Sequence, residues 1–182
     1  LSKLGPGKAY LDYGANKVYL GQDPTGSVVE YAVTKQAFVD NGATGVTLSG
    51  LVVEKFANPA QTAAVQIGAN WVVDGCEIRD NHGVGVALAA YSPSTIRDSH
   101  VHDQGQMGMS GWQSVDGLVE DNEIDHNNVA GYDYWWEAGG AKWTYTTDLT
   151  VRGNFSHDNT GPGLWTDIDN IGTTYDSNTV QD

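Results

Sequence analysis

The sequence has one cysteine, few cations and no long apolar run. A single cysteine, Cys76, excludes a disulfide framework and a metal site built from several thiolates. No apolar stretch approaches the roughly 18 residues of a membrane span, and no basic-then-apolar leader segment is present, so we expect no membrane association through either. The 9 Lys and Arg against 23 Asp and Glu give a net charge of -14, which disfavours nucleic acid and anionic membranes as partners.

Glycine, in contrast, is abundant, with 23 residues among 182. This content predicts many turns, and 40% hydrophobic residues are ordinary for a folded protein. The length fits one domain with a continuous core, so we assign residues 1–182 to a single domain.

The sequence contains an internal repeat. Six segments of eight residues align without gaps, and their starts are 25, 23, 23, 32 and 24 residues apart. They are VTLSGLVV from Val46, WVVDGCEI from Trp71, STIRDSHV from Ser94, GLVEDNEI from Gly117, LTVRGNFS from Leu149 and TTYDSNTV from Thr173. The third position is large and apolar, the eighth usually is, and the sixth position of the last three copies is Asn122, Asn154 and Asn178. Such a column of asparagines can form hydrogen bonds along its own length at a bend.

Each repeat also has a second, strand-like half, in which a glycine followed by an apolar residue recurs in the same phase. Residues 84–88 alternate between branched apolar and small side chains, and no segment has helical periodicity. These features predict an all-β fold, a right-handed parallel β-helix of about seven coils of 23–25 residues. Equivalent positions then stack in columns about 4.8 Å apart. A leucine-rich repeat has a similar period, but leucine is scarce here and the second half does not resemble a helix.

The fourth position of the repeat alternates in charge from the second copy on, as Asp74, Arg97, Glu120, Arg152 and Asp176. We interpret these residues as exposed pairs between neighbouring coils, each contributing well under about 1 kcal/mol but favouring the correct register. They are not catalytic candidates.

The coils of the pattern V-x-x-N-x-I-x-x-N, together with residues 10–14, 45–52, 139–142 and 161–165, resemble a known family. This family comprises the bacterial right-handed parallel β-helix repeat proteins of the pectate-lyase-like superfamily. The resemblance covers nearly the whole chain and implies an extracellular or cell-surface protein with a carbohydrate-related role. Members include lyases, hydrolases, epimerases and proteins without assigned activity, so the fold does not choose among them. The sequence lacks the clustered lysines and arginines of the pectate and alginate lyases and the Gly-His-Gly signature of the polygalacturonase branch.

One repeat is about nine residues longer than its neighbours, and the excess falls within residues 133–148. Insertions in a solenoid form loops on one face, often the binding face. With the extra residues placed after Trp135, alternation predicts two outward columns. One consists of Ser110, Asp133 and Trp165, and the other of Trp112, Trp135 and Asp167.

Outward indole rings beside carboxylates are typical of a sugar-binding platform, because the C–H faces of pyranose rings stack on aromatic rings. We assign Trp112, Trp135, Trp136 and Trp165 to such a platform. The alternative is that these rings pack beneath the inserted loop as a small core of their own.

Glycoside hydrolysis needs two carboxyl groups, about 5 Å apart for retention or about 6.5 to 9.5 Å for inversion. The predicted columns put Asp133 and Asp167 roughly 8 Å apart, which suits an inverting pair. Glu137 is a further candidate acid, and Asp169 a further substrate-binding carboxylate.

In a lyase, Lys142 is the catalytic cation of the loop, and Asp133, Asp167 and Asp169 are candidate calcium ligands.

Three histidines near the ends of their repeats each lie next to an aspartate: His102 and Asp103, His126 and Asp125, and His157 and Asp158. A zinc site or an acid–base cluster uses such residues. The interpretation we favour is structural, with polar side chains at a turn bonding to neighbouring coils. Cys76 falls in the asparagine column, so we expect a buried free thiol there.

Two functions are compatible with this sequence. The first is a carbohydrate-active protein that binds a polysaccharide and, as a hydrolase or lyase, cleaves it. The second is a non-catalytic stalk, adhesin or filament subunit. Because the repeat stops within a copy at Asp182 and neither end has an amphipathic cap, we expect a section of a longer solenoid whose open coils associate end to end.

Overall fold

The computed structural model describes residues 3–182, which divide into two compact units on either side of the peptide bond after Tyr31. In the first unit, β1 (Ala9–Asp12) and β2 (Lys17–Leu20) form an antiparallel hairpin. The Asp12 carboxylate stabilises its turn by accepting a hydrogen bond from the Ala15 N–H at 3.0 Å. The segment around residue 10 is therefore a hairpin and not a parallel coil. The assignment of residues 1–182 to one domain stays a prediction.

The second unit is a parallel β-solenoid of six coils, one fewer than expected, and each coil contributes one short strand to each of three parallel sheets. Sheet 1 consists of β3 (Phe38–Val39), β6 (Ala63–Gln66), β9 (Val84–Ala87), β12 (Met107–Trp112), β15 (Gly139–Thr144) and β18 (Leu164–Asp167). Sheet 2 consists of β4 (Thr47–Ser49), β7 (Val72–Asp74), β10 (Ser94–Arg97), β13 (Gly117–Glu120), β16 (Thr150–Arg152) and β19 (Thr174–Asp176). Sheet 3 consists of β5 (Val52–Glu54), β8 (Glu77–Arg79), β11 (His100–His102), β14 (Glu123–Asp125), β17 (Phe155–His157) and β20 (Thr179–Gln181).

The strand register confirms the predicted columns. Val73, Ile96 and Val119 are direct neighbours in sheet 2, and each is at most 1% exposed. The eighth positions of the repeat stack in the same way in sheet 3. Because neighbouring coils bury apolar residues at equivalent positions against one another, their side chains form one continuous core.

The asparagine column is present at the bend between sheets 2 and 3. Asn122 donates a side-chain hydrogen bond to Asn154 Oδ1 at 2.9 Å, and Asn154 donates one to Asn178 Oδ1 at 2.9 Å. Ser99 and Cys76 continue the column into the two preceding coils. Cys76 is a buried free thiol, as expected. These side chains satisfy backbone groups that a bend would otherwise leave buried without partners.

The residue before each column position has a left-handed backbone: Gly50, Gly75, Asp98, Asp121, Gly153 and Ser177. Glycine adopts this conformation without a steric penalty, and aspartate tolerates it better than most residues. The local sequence therefore encodes a sharp turn at the same place in each coil.

The longer repeat places its extra residues before β15. There Asp133 caps α1 (Tyr134–Glu137), and its carboxylate accepts a hydrogen bond from the Trp135 N–H at 3.0 Å. Within residues 3–182, no helix is long and apolar enough to span a membrane.

The register predicted for this repeat is wrong. In sheet 1, Ala141 and not Tyr132 lies beside Met109, so the extra residues precede the strand and do not follow Trp135. The observed register buries Trp143 completely in the solenoid core. Burial of a whole indole is among the largest apolar gains that one side chain offers, which favours this register.

Candidate functional site

A groove with a volume of about 460 Å³ lies on the outer face of sheet 1. Val84, Ala87 and Met107 line it with a small apolar cluster that is separate from the solenoid core. Polar and aromatic side chains also line the groove, among them Gln61, Gln66, Ser110, Trp112, Glu137, Lys142, Thr144 and Tyr145. Apolar surface with a few polar groups around it is the usual composition of a small-molecule or oligosaccharide site.

Lys142 is the central cation of this groove. Strand β15 places it between Ser110 and Trp165 in the sheet, and its side chain is only 5% exposed. Its ammonium donates a hydrogen bond to the Trp136 carbonyl oxygen at 2.8 Å and lies 4.1 Å from the ring centroid of Trp165. A buried ammonium needs partners of this kind to replace its water shell.

Two carboxylates share the Lys142 ammonium. Nζ lies 3.1 Å from Asp167 Oδ2 and 3.4 Å from Glu137 Oε2. Because both oxygens contact one nitrogen, they lie within about 6.5 Å of each other, close to the separation used by glycosidases. The three side chains together carry a formal charge of one negative unit, so the site offers no excess positive charge to an anionic ligand.

Two glutamines support the helix that carries Glu137. Gln106 Nε2 donates a hydrogen bond to the Glu137 carbonyl oxygen at 2.7 Å, and Gln61 Nε2 to its carboxylate at 3.4 Å. Gln61 in turn donates its backbone N–H to Gln106 Oε1 at 2.6 Å. Sequence reasoning missed Gln61, because it lies in a turn three coils before Glu137 and follows no repeat signal.

The tryptophans predicted to form one platform are divided among three environments. Trp112 is 56% exposed at the groove, with its ring edge-on to Tyr91. Trp165 lies beneath the Lys142 ammonium. Trp135 and Trp136 are exposed on α1, at 76% and 52%. The predicted column of Trp112, Trp135 and Asp167 is wrong, because Thr144 occupies the place given to Trp135.

The predicted pairing of Asp133 with Asp167 is also wrong. Asp133 caps α1, whereas Asp167 pairs with Lys142, because Lys142 and not Asp133 follows Ser110 in the sheet. Asp169 is an exposed residue of the turn after β18. Among the described residues, Asp133, Asp167 and Asp169 do not form a group within coordination distance of one another.

The predicted histidine column exists on sheet 3. His102, Asp125 and His157 are direct neighbours, and His126 follows Asp125 with a left-handed backbone. Its Nδ1 lies 2.5 Å from Asp125 Oδ2. His100, two residues before His102 on the same strand, has its Nε2 2.5 Å from Asp125 Oδ1.

Three groups of this column have displaced pKa values. Burial raises the pKa of Asp125, but hydrogen bonds with His126 and His100 outweigh it and leave that pKa below the ordinary value. The Asp125 hydrogen bond raises the pKa of His126, and the Asp158 hydrogen bond raises the pKa of His157. His126 and His157 are therefore more readily protonated, because each lies beside an ionised carboxylate.

Comparison with solved structures finds XylC in its complex with xylose, with a TM-score of 0.62 and 16% sequence identity. The match covers 95% of this chain and 40% of that protein, so this chain spans less than half the length of XylC. At this identity the likeness shows a shared fold. A search of curated proteins finds no match.

The family model described as a right-handed β-helix region matches residues 27–134 and 62–182. Together the two matches span the whole solenoid from β3 to β20, which agrees with the three parallel sheets. The protein therefore belongs to the right-handed β-helix family.

Proposed function

We propose that this β-helix protein binds a polysaccharide in the groove on sheet 1. The observation that carries the proposal is the half-exposed indole of Trp112 at the edge of a groove lined by amide, hydroxyl and charged side chains. An indole face stacks on the C–H surface of a pyranose, and the surrounding polar groups exchange hydrogen bonds with its hydroxyls. The complex of XylC with xylose, a sugar-bound protein of similar fold, supports a sugar ligand.

The charges favour a neutral sugar over a uronate. A uronate carboxylate needs a cation, but the Lys142 ammonium already contacts two carboxylates. The whole chain carries a net charge of -14, which repels polyanions at low salt. We place the protein outside the cell or on its surface, where neutral polysaccharides are found.

Binding to immobilised polysaccharides tests this proposal. We expect retardation in gels containing xylan, arabinan or β-glucan, and little in gels containing polygalacturonate or alginate. Trp112→Ala should weaken retention at least about tenfold, since stacking and burial of one aromatic ring contribute on the order of 1.5 kcal/mol. Trp135→Ala is the matched control, because that ring is more exposed but lies on α1. Equal mobility of Trp112→Ala and the wild type would refute binding at this groove.

The shared contact of Glu137 and Asp167 with Lys142 favours hydrolysis as a second activity. One carboxyl group would protonate the glycosidic oxygen as the C–O bond breaks, and the other would remove a proton from the attacking water. A lyase is disfavoured because it needs a cation for the uronate carboxylate.

Release of reducing ends from neutral polysaccharides measures hydrolysis, and absorbance at 235 nm measures unsaturated lyase products. Glu137→Gln and Asp167→Asn should each reduce hydrolysis at least about a hundredfold. Asp133→Asn should retain most of it, because Asp133 caps α1. Turnover that depends on Asp133 and not on Glu137 would contradict this assignment, and unsaturated products would show a lyase.

A non-catalytic structural module remains the second candidate, favoured by the exposed side chains of the last coil. Strands β19 and β20 are exposed along their whole length. Open edges of this kind pair with further coils or with other chains.

A further inference from the structure

The outer face of sheet 3 brings a histidine and two carboxylates together at a place unrelated to the groove. His100 and Glu123 are direct neighbours on β11 and β14, and Asp125 lies two residues beyond Glu123. One ring nitrogen of His100 and one carboxylate oxygen from each acid all lie within 4.8 Å of one another. Side chains at alternate strand positions point to the same face, so the parallel register itself builds this cluster.

The separations are close to those of a coordination sphere. Bonds of about 2.0 to 2.2 Å from zinc to nitrogen and oxygen put neighbouring tetrahedral ligands about 3.3 to 3.5 Å apart. The 2.5 Å between His100 Nε2 and Asp125 Oδ1 fits two atoms that share a proton. For a metal ion to replace this proton, the side chains of His100 and Asp125 must move slightly apart. The strands that carry them belong to a rigid sheet, so only the side chains need to move.

Neighbouring groups hold the two acids in place. His157 Nε2 lies 3.1 Å from Glu123 Oε1, and its Nδ1 lies 2.7 Å from Asp158 Oδ2. The His157 ring stacks on Phe155 with 4.1 Å between centroids. A carboxylate on the far nitrogen of an imidazole fixes the ring orientation, an arrangement that commonly supports metal ligands.

The equivalent acid two coils before Glu123 has different partners. Glu77 occupies the position of Glu123 in that coil, and it contacts Arg79 at 2.5 Å. Arg79 also contacts Glu54 at 2.8 Å. Arg79 thus neutralises Glu54 and Glu77, although Glu77 also contacts His102. The side-chain partners of Glu123 and Asp125, in contrast, are imidazoles alone, which can exchange a proton for a metal ion.

We propose that His100, Glu123 and Asp125 bind one divalent transition-metal ion of the zinc class. An imidazole ligand with two carboxylates suits Zn²⁺ or Co²⁺, whereas Ca²⁺ takes six to eight oxygen ligands. Because the ligands come from two adjacent coils, the ion cross-links those coils and stabilises their register.

Titration of tag-free, chelator-treated protein with ZnCl₂ at pH 7.5, followed by competition with a chromophoric chelator, tests the site. We expect one Zn²⁺ per chain, at least about tenfold weaker binding in His100→Ala and Glu123→Gln, and no comparable binding of CaCl₂. Glu77→Gln is the matched control, since Glu77 contacts His102 at 3.3 Å much as Glu123 contacts His157. It should bind Zn²⁺ like the wild type.

Three outcomes would overturn the proposal: no stoichiometric Zn²⁺ binding, equal losses in Glu77→Gln and Glu123→Gln, or Ca²⁺ binding that competes with Zn²⁺. Circular dichroism of the metal-free variants separates lost ligands from lost folding. As a second readout, Zn²⁺ should raise the thermal midpoint of the wild type and of Glu77→Gln, but not that of His100→Ala.

Discussion

At the scale of single residues, the groove depends on side chains whose charge is offset by their neighbours. Lys142 is almost completely buried and is held by Glu137, Asp167 and the ring of Trp165. Its position is therefore fixed before a ligand arrives, which lowers the entropic cost of binding. Because its charge is already offset, the ligand that fits best is one that offers hydroxyl groups and apolar ring faces.

The histidines of sheet 3 make stability depend on pH in the metal-free protein. The pKa values of His126 and His157 are raised by Asp125 and Asp158. Their contribution to the free energy of unfolding is fully present below the unfolded pKa of about 6.5 and is lost as pH rises through the folded values. The lowered pKa of Asp125 has the opposite consequence, since its contribution is lost as pH falls through the folded value.

Urea unfolding in the presence of a chelator, from pH 6 to pH 9, measures the histidine contribution. The wild type should lose stability across this range, and the double variant His126→Gln, His157→Gln should lose less. The single variant His82→Gln is the control, because His82 contacts the Asn58 carbonyl oxygen and lies outside this column. An identical pH slope in the wild type and the double variant would contradict this assignment.

At the scale of elements, the asparagine column holds the coils in register. Asn154 donates hydrogen bonds to the Val119 and Arg152 carbonyl oxygens at 3.0 Å, and its Oδ1 accepts from the Asn122 side chain. Asn178 occupies the same position in the last coil and is less buried. Equivalent residues thus differ in how many buried partners depend on them.

Replacement of two asparagines measures this difference. Asn154→Ala should reduce the free energy of unfolding by about 2 to 4 kcal/mol, because it leaves several buried polar groups unpaired. Asn178→Ala should cost less, about 1 kcal/mol, since Asn178 itself is only partly buried and water can take the place of its side chain. Chemical denaturation of both variants provides the comparison. An equal loss in the free energy of unfolding in both variants would show that the contribution of an asparagine in this column does not depend on its burial.

The same elements show what sequence alone can and cannot predict. Columns such as Val73, Ile96 and Val119 follow from spacing, because identical coils must stack in register. The register of β15 did not follow from the spacing. Two alignments of the long repeat satisfy its alternation, and only three-dimensional packing selects the one that buries Trp143. The candidates Trp112, Glu137, Lys142 and Asp167 followed from the long repeat and the residue types in and beside it, whereas the capping role of Asp133 depends on where the insertion begins.

At the scale of the whole molecule, the coils form a repetitive stack whose last member has an exposed face. Tyr175 and Val180 are 42% and 55% exposed, although the equivalent Val151 and Ser156 one coil earlier are buried. Apolar side chains at core positions of an end coil are suited to contact another coil.

We therefore expect this 182-residue chain to associate end to end, and more strongly at high salt, because salt screens its net charge of -14. Light scattering over a range of concentration and salt measures the effect. Val180→Asp should reduce association, and Val129→Asp should not, since Val129 is exposed before α1 and away from β20. A strictly monomeric protein at high concentration would contradict this expectation.

Fluorine NMR of 5-fluorotryptophan-labelled protein reports directly on whether a sugar binds in the groove on sheet 1. The six tryptophans give one resonance each, and single substitutions assign these resonances. The labelled protein is then titrated with oligosaccharides from the polysaccharide that binds best in gels. We expect the Trp112 resonance to shift and the resonances of Trp135 and the core residue Trp143 to stay unchanged. A shift of Trp135 with Trp112 unmoved, or no shift of any resonance, would contradict this prediction.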